Sequence, residues 1–204
     1  MSTSKVPASA RPYHHGNLRQ AVVSAALEVL AREEPSSLSL RDLARSVGVR
    51  HSALYTHFRD RTHLLAVIAG DGFRALLGQM RAVAQSPRGR VVELAETYVR
   101  FARANPAYYR VMFLPEVGRP ENNGDFREVC EACFQTLVQA IQEGASFSAE
   151  EVHERAVSIW STLHGLVSLG ENSGPLYGQI SPENEVPIAS RIVLVLARGE
   201  WPQR

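Results

Sequence analysis

The densest group of hydrogen-bonding side chains lies in the run SLRDLARSVGVRHSALYTHFRDR, residues 39–61. Arg50, His51, Ser52, Thr56 and His57 can all donate to phosphate oxygens or base edges, and none of them is acidic. Such a face suits the major groove of duplex DNA. The same run supplies what a helix-turn-helix needs: Ala44 as the small residue where two helices cross, and Gly48 as the residue that tolerates positive φ in the turn. Leu43, Val47, Val49, Leu54 and Phe58 then close a miniature core.

Other reactive residues point to less. Cys130 and Cys133 form a C-x-x-C, but one pair is half of a structural zinc site and no second pair exists. No βαβ pattern surrounds them, so packing in the core is the simpler reading, with redox or electrophile sensing as the alternative. His164 lies on an apolar stripe, where a satisfied core histidine is the plain expectation. A phosphate-binding glycine loop, a nucleophile elbow and an H-E-x-x-H metal motif are all missing from the chain. The chain therefore reads as a non-enzyme needing neither cofactor nor metal.

The elements that carry these residues read as helices almost throughout, an all-α chain of about nine. Leu18, Ala21, Val22, Ala25, Ala26, Val29 and Leu30 recur at helical spacing and stop before Pro35. Ser39 and Asp42 form a capping box for a second helix that Gly48 ends. A third helix is expected over 50–58, and a fourth, N-capped by Asp60, to about Ala84. Further helices are expected over 91–104 and 106–113, from Phe126 to Gly144, and from a second capping box, Ser148 with Glu151, to Gly170. The last holds Ala189 and Ile192 to Leu196, and Pro187 must sit in its first turn or kink it.

Charge divides the chain. Its net +1 conceals 13 basic against 6 acidic residues in 1–90 and 9 against 15 beyond, so +7 is followed by −6. A basic half fused to an acidic one fits a polyanion-binding module joined to a domain of another kind. No run of ~18 apolar residues and no signal-peptide h-region is present, and two cysteines make no secreted disulfide framework, so a cytoplasmic protein is expected.

The pattern L-A-x-x-x-G-V-x-x-x-x-L-Y-x-H-F-x-x-(K/R)-x-x-L, present from Leu43 to Leu64, resembles the TetR family of transcriptional regulators. Residues 13–18 (YHHGNL), 105–113 (NPAYYRVMF) and 160–166 (WSTLHGL) resemble the subgroup whose C-terminal domain is named for its Trp-His-Gly motif. The resemblance implies that Tyr55, His57 and Arg61 contact phosphate, with Ser39 and its helix start adding another contact. It places Arg50, His51, Ser52 and Thr56 against phosphates or bases. Arg61 stands where lysine is usual, and Ser52-Ala53 replace the common Gly-Thr. The chain then divides into a basic arm (1–12), a DNA-binding domain (13–60) and a ligand-binding and dimerisation domain (61–204), with helix 61–84 as the connector.

The function so implied is a homodimeric repressor that binds a pseudo-palindromic operator in double-stranded DNA and is released by a small, largely apolar effector. Tyr98, Phe101, Tyr109, Met112, Phe113, Phe134, Trp160 and His164 are the expected effector site. Dimerisation is expected through the last two helices, by Val152, Ala156, Ile159 and Leu163 on one and Ala189, Ile192, Val193 and Leu196 on the other. A small helical enzyme and a regulator sensing through Cys130 and Cys133 are the competing readings.

Overall fold

The computed structural model describes residues 15–83, 90–118, 124–144, 146–171 and 180–198, so the arm at 1–12 lies outside the described residues. Nine helices and no strand occur among them. In chain order these are α1 (His15–Leu30), α2 (Leu40–Ser46), α3 (His51–Leu54), α4 (Arg61–Val83), α5 (Arg90–Ala104), α6 (Pro106–Met112), α7 (Gly124–Gly144), α8 (Ala149–Glu171) and α9 (Pro182–Arg198), with a 3-10 turn at Pro35–Ser37. The chain falls into two compact units, residues 1–61 and 62–204.

In the first unit α1 buries Leu18, Val22, Val23, Ala26 and Leu30, while Ala21, Ala25 and Val29 lie half-buried at the stripe's edges. Ser39 caps α2 by accepting from the Asp42 amide at 3.4 Å. The expected box is only half made, because the Asp42 carboxylate turns to Arg45 at 3.0 Å instead. Gly48, at φ +75°, closes α2 with the Val49 amide on the Ala44 carbonyl and its own amide on that of Arg45. This is the paired bonding of a left-handed glycine cap, which turns the chain into α3.

The third helix is shorter than the expected 50–58. Thr56 donates its hydroxyl to the Ala53 carbonyl at 2.7 Å, the acceptor that the His57 amide would use in a continuing α-helix. The His57 amide bonds to Leu54 instead, and residues 55–57 form a turn.

In the second unit Gly72 of α4 faces Met112 and Tyr108 of α6, where a Cβ would come within 2.8 Å of the methionine sulfur. The second capping box is complete: the Ser148 amide donates to Glu151 at 2.8 Å, and the Glu151 amide to the Ser148 hydroxyl at 3.3 Å. Helix α9 begins at Pro182, so Pro187 falls inside it rather than in its first turn. The helix starts early because the amides of Asn184 and Glu185 both bond the Ser181 carbonyl, while Asn184 Oδ1 accepts the Ser181 amide.

Helix α9 packs on α5 and α8. Arg103 of α5 makes a two-toothed ion pair with Glu185, a carboxylate only 1% exposed, and Glu96 accepts the Ser190 hydroxyl at 2.8 Å. Arg155 of α8 donates to the Leu196 carbonyl at 2.7 Å. This packing corrects the expected dimer surface. Val152, Ala156, Ile159, Leu163, Ala189 and Val193 are buried inside the chain, and Ile192 and Leu196 are half-buried. An apolar stripe already covered by its own chain has little left to offer a second copy. The large apolar side chains that α8 and α9 leave exposed are Val157, Leu169 and Leu194.

Candidate nucleic-acid interface and effector site

The left-handed cap at Gly48 sets where α3 starts, and α3 with the turn after it presents one continuous surface. Arg50, His51, Ser52, Tyr55 and Thr56 are all exposed there, while Leu54 and Phe58 point inward at 0% exposure. Tyr55 is 52% exposed, its ring edge-on to His51 at 5.0 Å, so its hydroxyl stands at the surface. Thr56 spends its proton on Ala53 and offers the surface only an acceptor unless that bond breaks. His57 is half-buried beside Phe58.

Ser39 stands at the start of α2, with its hydroxyl turned to the helix amides. Arg61 is also engaged within the protein, where its Nη2 and Nε donate to the Pro35 carbonyl at 2.8 and 3.3 Å. The first residue of α4 is thereby tied to the turn that leads into Ser39.

In the second unit, six of the eight expected effector residues meet. The Tyr98 and Tyr109 hydroxyls are 3.2 Å apart, and that of Tyr109 is 2.7 Å from His164 Nδ1. Around this polar chain Tyr98 tilts against Trp160, Trp160 against Phe134, and Phe113 lies 4.3 Å from the His164 ring. Such edge-on and tilted pairs are the stable geometry for aromatic quadrupoles. Burial, then the neighbouring Tyr109, pushes the Tyr98 phenol well above the usual tyrosine range.

Phe101 is buried and makes no ring contact with the others among the described residues, and Met112 turns instead to Gly72 of α4. Phe73, Phe126 and His153 join the ring contacts unforeseen. Phe73 had a signal, since it sits in the stripe of Leu65, Ala69, Phe73, Leu76 and Met80 at helical spacing. The cluster is close-packed. Beside Tyr98, with Met80, Leu94, Leu137, Trp160 and Leu163, it leaves a cavity of about 10 Å³, room for one water.

Cys133 is buried with its thiol on the Phe73 carbonyl at 3.6 Å, and burial, then Cys130, pushes its pKa up to about 12. Cys130 is likewise raised, by burial and then Glu131. Both thiols stay protonated near neutrality, which counts against a thiolate sensor. Among the described residues no three His, Cys, Asp or Glu side chains converge as for a metal, and no helix is long and apolar enough to cross a membrane.

The family described as bacterial regulatory proteins of the tetR family matches residues 22–68, and the tetracyclin repressor-like C-terminal domain matches residues 91–193. Among curated proteins, an uncharacterised HTH-type transcriptional regulator, YobS of Bacillus subtilis (strain 168), is 32% identical over 101 residues, or 48% of this chain. The chain spans 53% of that relative's length. A solved protein of unknown function from Rhodococcus sp. RHA1 is 26% identical with a TM-score of 0.77, the likeness covering 95% of this chain and all of that one. The transcriptional regulator FadR from Bacillus subtilis, solved in complex with stearoyl-CoA, shares the fold at 14% identity and a TM-score of 0.69, over 89% of this chain and 98% of its own.

Proposed function

The chain belongs to the TetR family of bacterial regulatory proteins, and from that premise we propose that it is a cytoplasmic, homodimeric repressor released from its operator by a small, largely apolar effector. The observation that carries the reading is the exposed, acid-free face of Arg50, His51, Ser52, Tyr55 and Thr56 behind a glycine-capped turn. In this reading the arm of 1–12 and the domain of 13–60 hold the DNA, and 61–204 holds effector and partner. The chain falls in the Trp-His-Gly subgroup, with Trp160, His164 and Gly165 as its mark.

Ser39, Tyr55, His57 and Arg61 bind phosphates, and His51 with Arg50, Ser52 and Thr56 reads base edges. Two copies place their α3 helices in major grooves about 34–36 Å apart on a pseudo-palindrome. The effector enters among Tyr98, Tyr109, Phe113, Phe134, Trp160 and His164.

Coupling runs through α4 and α6. Helix α6 turns Tyr109 and Phe113 to His164, and Tyr108 and Met112 to Gly72 of α4. Met80 of α4 itself lines the cavity. An effector that widens the cluster displaces α4 and changes the spacing of the two α3 helices. It must favour the non-binding form by about 1–3 kcal/mol to act as an inducer.

The test selects duplexes from a random-sequence library and measures their binding against salt. Several phosphate contacts give a log–log slope of about −0.9 per contact, and His51→Ala relaxes sequence preference more than it lowers affinity. A flat salt dependence with no enriched palindrome refutes the reading.

A further inference from the structure

The first unit holds a cavity of its own, about 270 Å³ in volume, where the end of α1 meets α2. Its apolar part is Val29, Leu38 and Leu43, and its polar part is Glu33, Ser37, Ser39, Asp42 and Ser46. Residues 39, 42, 43 and 46 recur at steps of three and four, so one face of α2 makes that wall.

The polar groups of the wall are almost all acceptors. Ser37 donates its hydroxyl to the Glu34 carbonyl and Ser46 donates to that of Leu43, each at 2.9 Å, which leaves only their lone pairs for a guest. The Ser39 oxygen takes the Asp42 amide, and the Ser39 proton alone is still to give. Asp42 meets Arg45 through Oδ1, so Oδ2 is open, and the exposed Glu33 carboxylate has no hydrogen bond or ion pair among the described residues. No lining residue is basic. The last turn of α1, which supplies Val29, carries no basic residue either, so its terminal carbonyls add partial negative charge.

We propose that this cavity binds a short aliphatic diamine in its doubly protonated form, one ammonium at Glu33 and the other at Asp42, with the methylene chain laid on Val29, Leu38 and Leu43. An ammonium brings three donors and no acceptor, which is the complement of this wall. A methylene stem covers apolar surface while its charged end stays at the rim, as a lysine side chain does. The volume lies just below the range of small-molecule pockets, ~300–1,000 Å³, and is far more than a bare metal ion needs. This site is separate from the aromatic cluster of the second unit, and its occupant sits beside Ser39, a proposed phosphate contact.

Amide-resolved NMR titration of the full chain without DNA, at low salt, tests the proposal with 1,5-diaminopentane, 1-aminopentane, 1,5-pentanediol and magnesium chloride. The diamine is expected to shift amides within residues 29–46 saturably, and to bind roughly fivefold more tightly than the monoamine, the upper end of what a second exposed ion pair contributes. Added salt weakens it. Pentanediol has the length without the charge and magnesium the charge without the stem, so both bind more weakly than the diamine. Glu33→Gln and Asp42→Asn each bring the diamine down to the affinity of the monoamine, and both positions are exposed, so the fold is kept. Magnesium binding as tightly as the diamine would reduce the site to a diffuse acidic surface, and equal binding of pentanediol would remove the role of charge. Either result overturns the proposal, as does a diamine that gives no saturable shift or whose affinity is unchanged in either variant. The readings of the α3 face and of the aromatic cluster stand apart from all these outcomes.

Discussion

The guanidinium of Arg61 rests on the carbonyl of Pro35, with Nη2 at 2.8 Å and Nε at 3.3 Å. A residue that the sequence pattern assigns to phosphate thus also fixes the turn leading into Ser39, the first residue of the run proposed to face DNA. Removing it acts twice. Arg61→Ala is expected to weaken binding to every duplex by about 1–2 kcal/mol, as a lost charge-assisted hydrogen bond, and to lower the salt slope by about one contact. Tyr55→Phe weakens binding by a similar amount with no change in the unfolding midpoint, because its hydroxyl holds nothing in the free protein. Equilibrium binding across a salt series, beside urea unfolding, separates the two effects. An unchanged salt slope for Arg61→Ala assigns it to the Pro35 tether alone.

What was legible in the sequence was whatever rests on local chemistry. Gly48 announced its left-handed turn, Ser148 with Glu151 a capping box, and Asn105-Pro106 the break between two helices, because each works within a few residues of itself. Helical spacing found α1 to α9, and the run of donors on α3 needed no tertiary information. Competition between equally local partners was harder to foresee. Asp42 chose Arg45 over the Ser39 amide, and the Thr56 hydroxyl took a carbonyl from the backbone ladder and shortened α3. Nothing local predicted that Arg103 would bury Glu185, 82 residues away, or that α5 would cover the apolar stripes of α8 and α9. An amphipathic stripe says that a face is buried, not whether the same chain or a second copy buries it. Six members of the aromatic cluster were legible for the same reason, but its order was not, since the link from Tyr98 through Tyr109 to His164 joins three helices.

The capping box of α8 predicts a pH effect. Glu151 sits below the ordinary glutamate value of 4.5, because the Ser148 amide and then its side chain bind the charged form. A folded pKa below the unfolded one gives stability that is present above about 4.5 and lost as pH falls through the folded value. The thermal midpoint of wild type should therefore exceed that of Glu151→Gln at pH 6 and converge on it as pH falls through the folded value. Parallel curves across that range would mean that the box adds nothing to α8.

Gly170 is fixed by the ion pair it faces. A Cβ at that position would run into the Glu185 carboxylate and the Arg103 guanidinium, which cannot move without exposing or unpairing a carboxylate 1% exposed. Gly170→Ala is expected to destabilise by about 1–3 kcal/mol, as overpacking against a buried pair. Gly78→Ala, where a Cβ meets nothing within 4 Å, should stabilise by about 0.5–1 kcal/mol through helix entropy. Glu185→Ala should cost about 3 kcal/mol, the low end for a broken buried pair because Arg103 retains some access to water. Urea midpoints for the three variants give the ranking directly.

The proposed dimer must use what α8 and α9 leave uncovered. Val157 is 43% exposed and Leu194 37%, and on α8 the small side chains of Ser158 and Ser161 lie exposed beside Val157. Small residues flanking an apolar one allow two helices to approach closely, and a two-fold axis through such a patch gives an isologous four-helix bundle. Leu194→Glu places a charge where the partner must pack, yet costs the isolated chain little because the position already faces water. Sedimentation at micromolar concentration should give a dimer for wild type and a monomer of unchanged helicity for Leu194→Glu. Affinity for a full palindrome should fall with it, while affinity for a single half-site is retained, because each monomer keeps its α3 face. A wild-type monomer, or a Leu194→Glu variant that stays dimeric, would move the interface off these two helices.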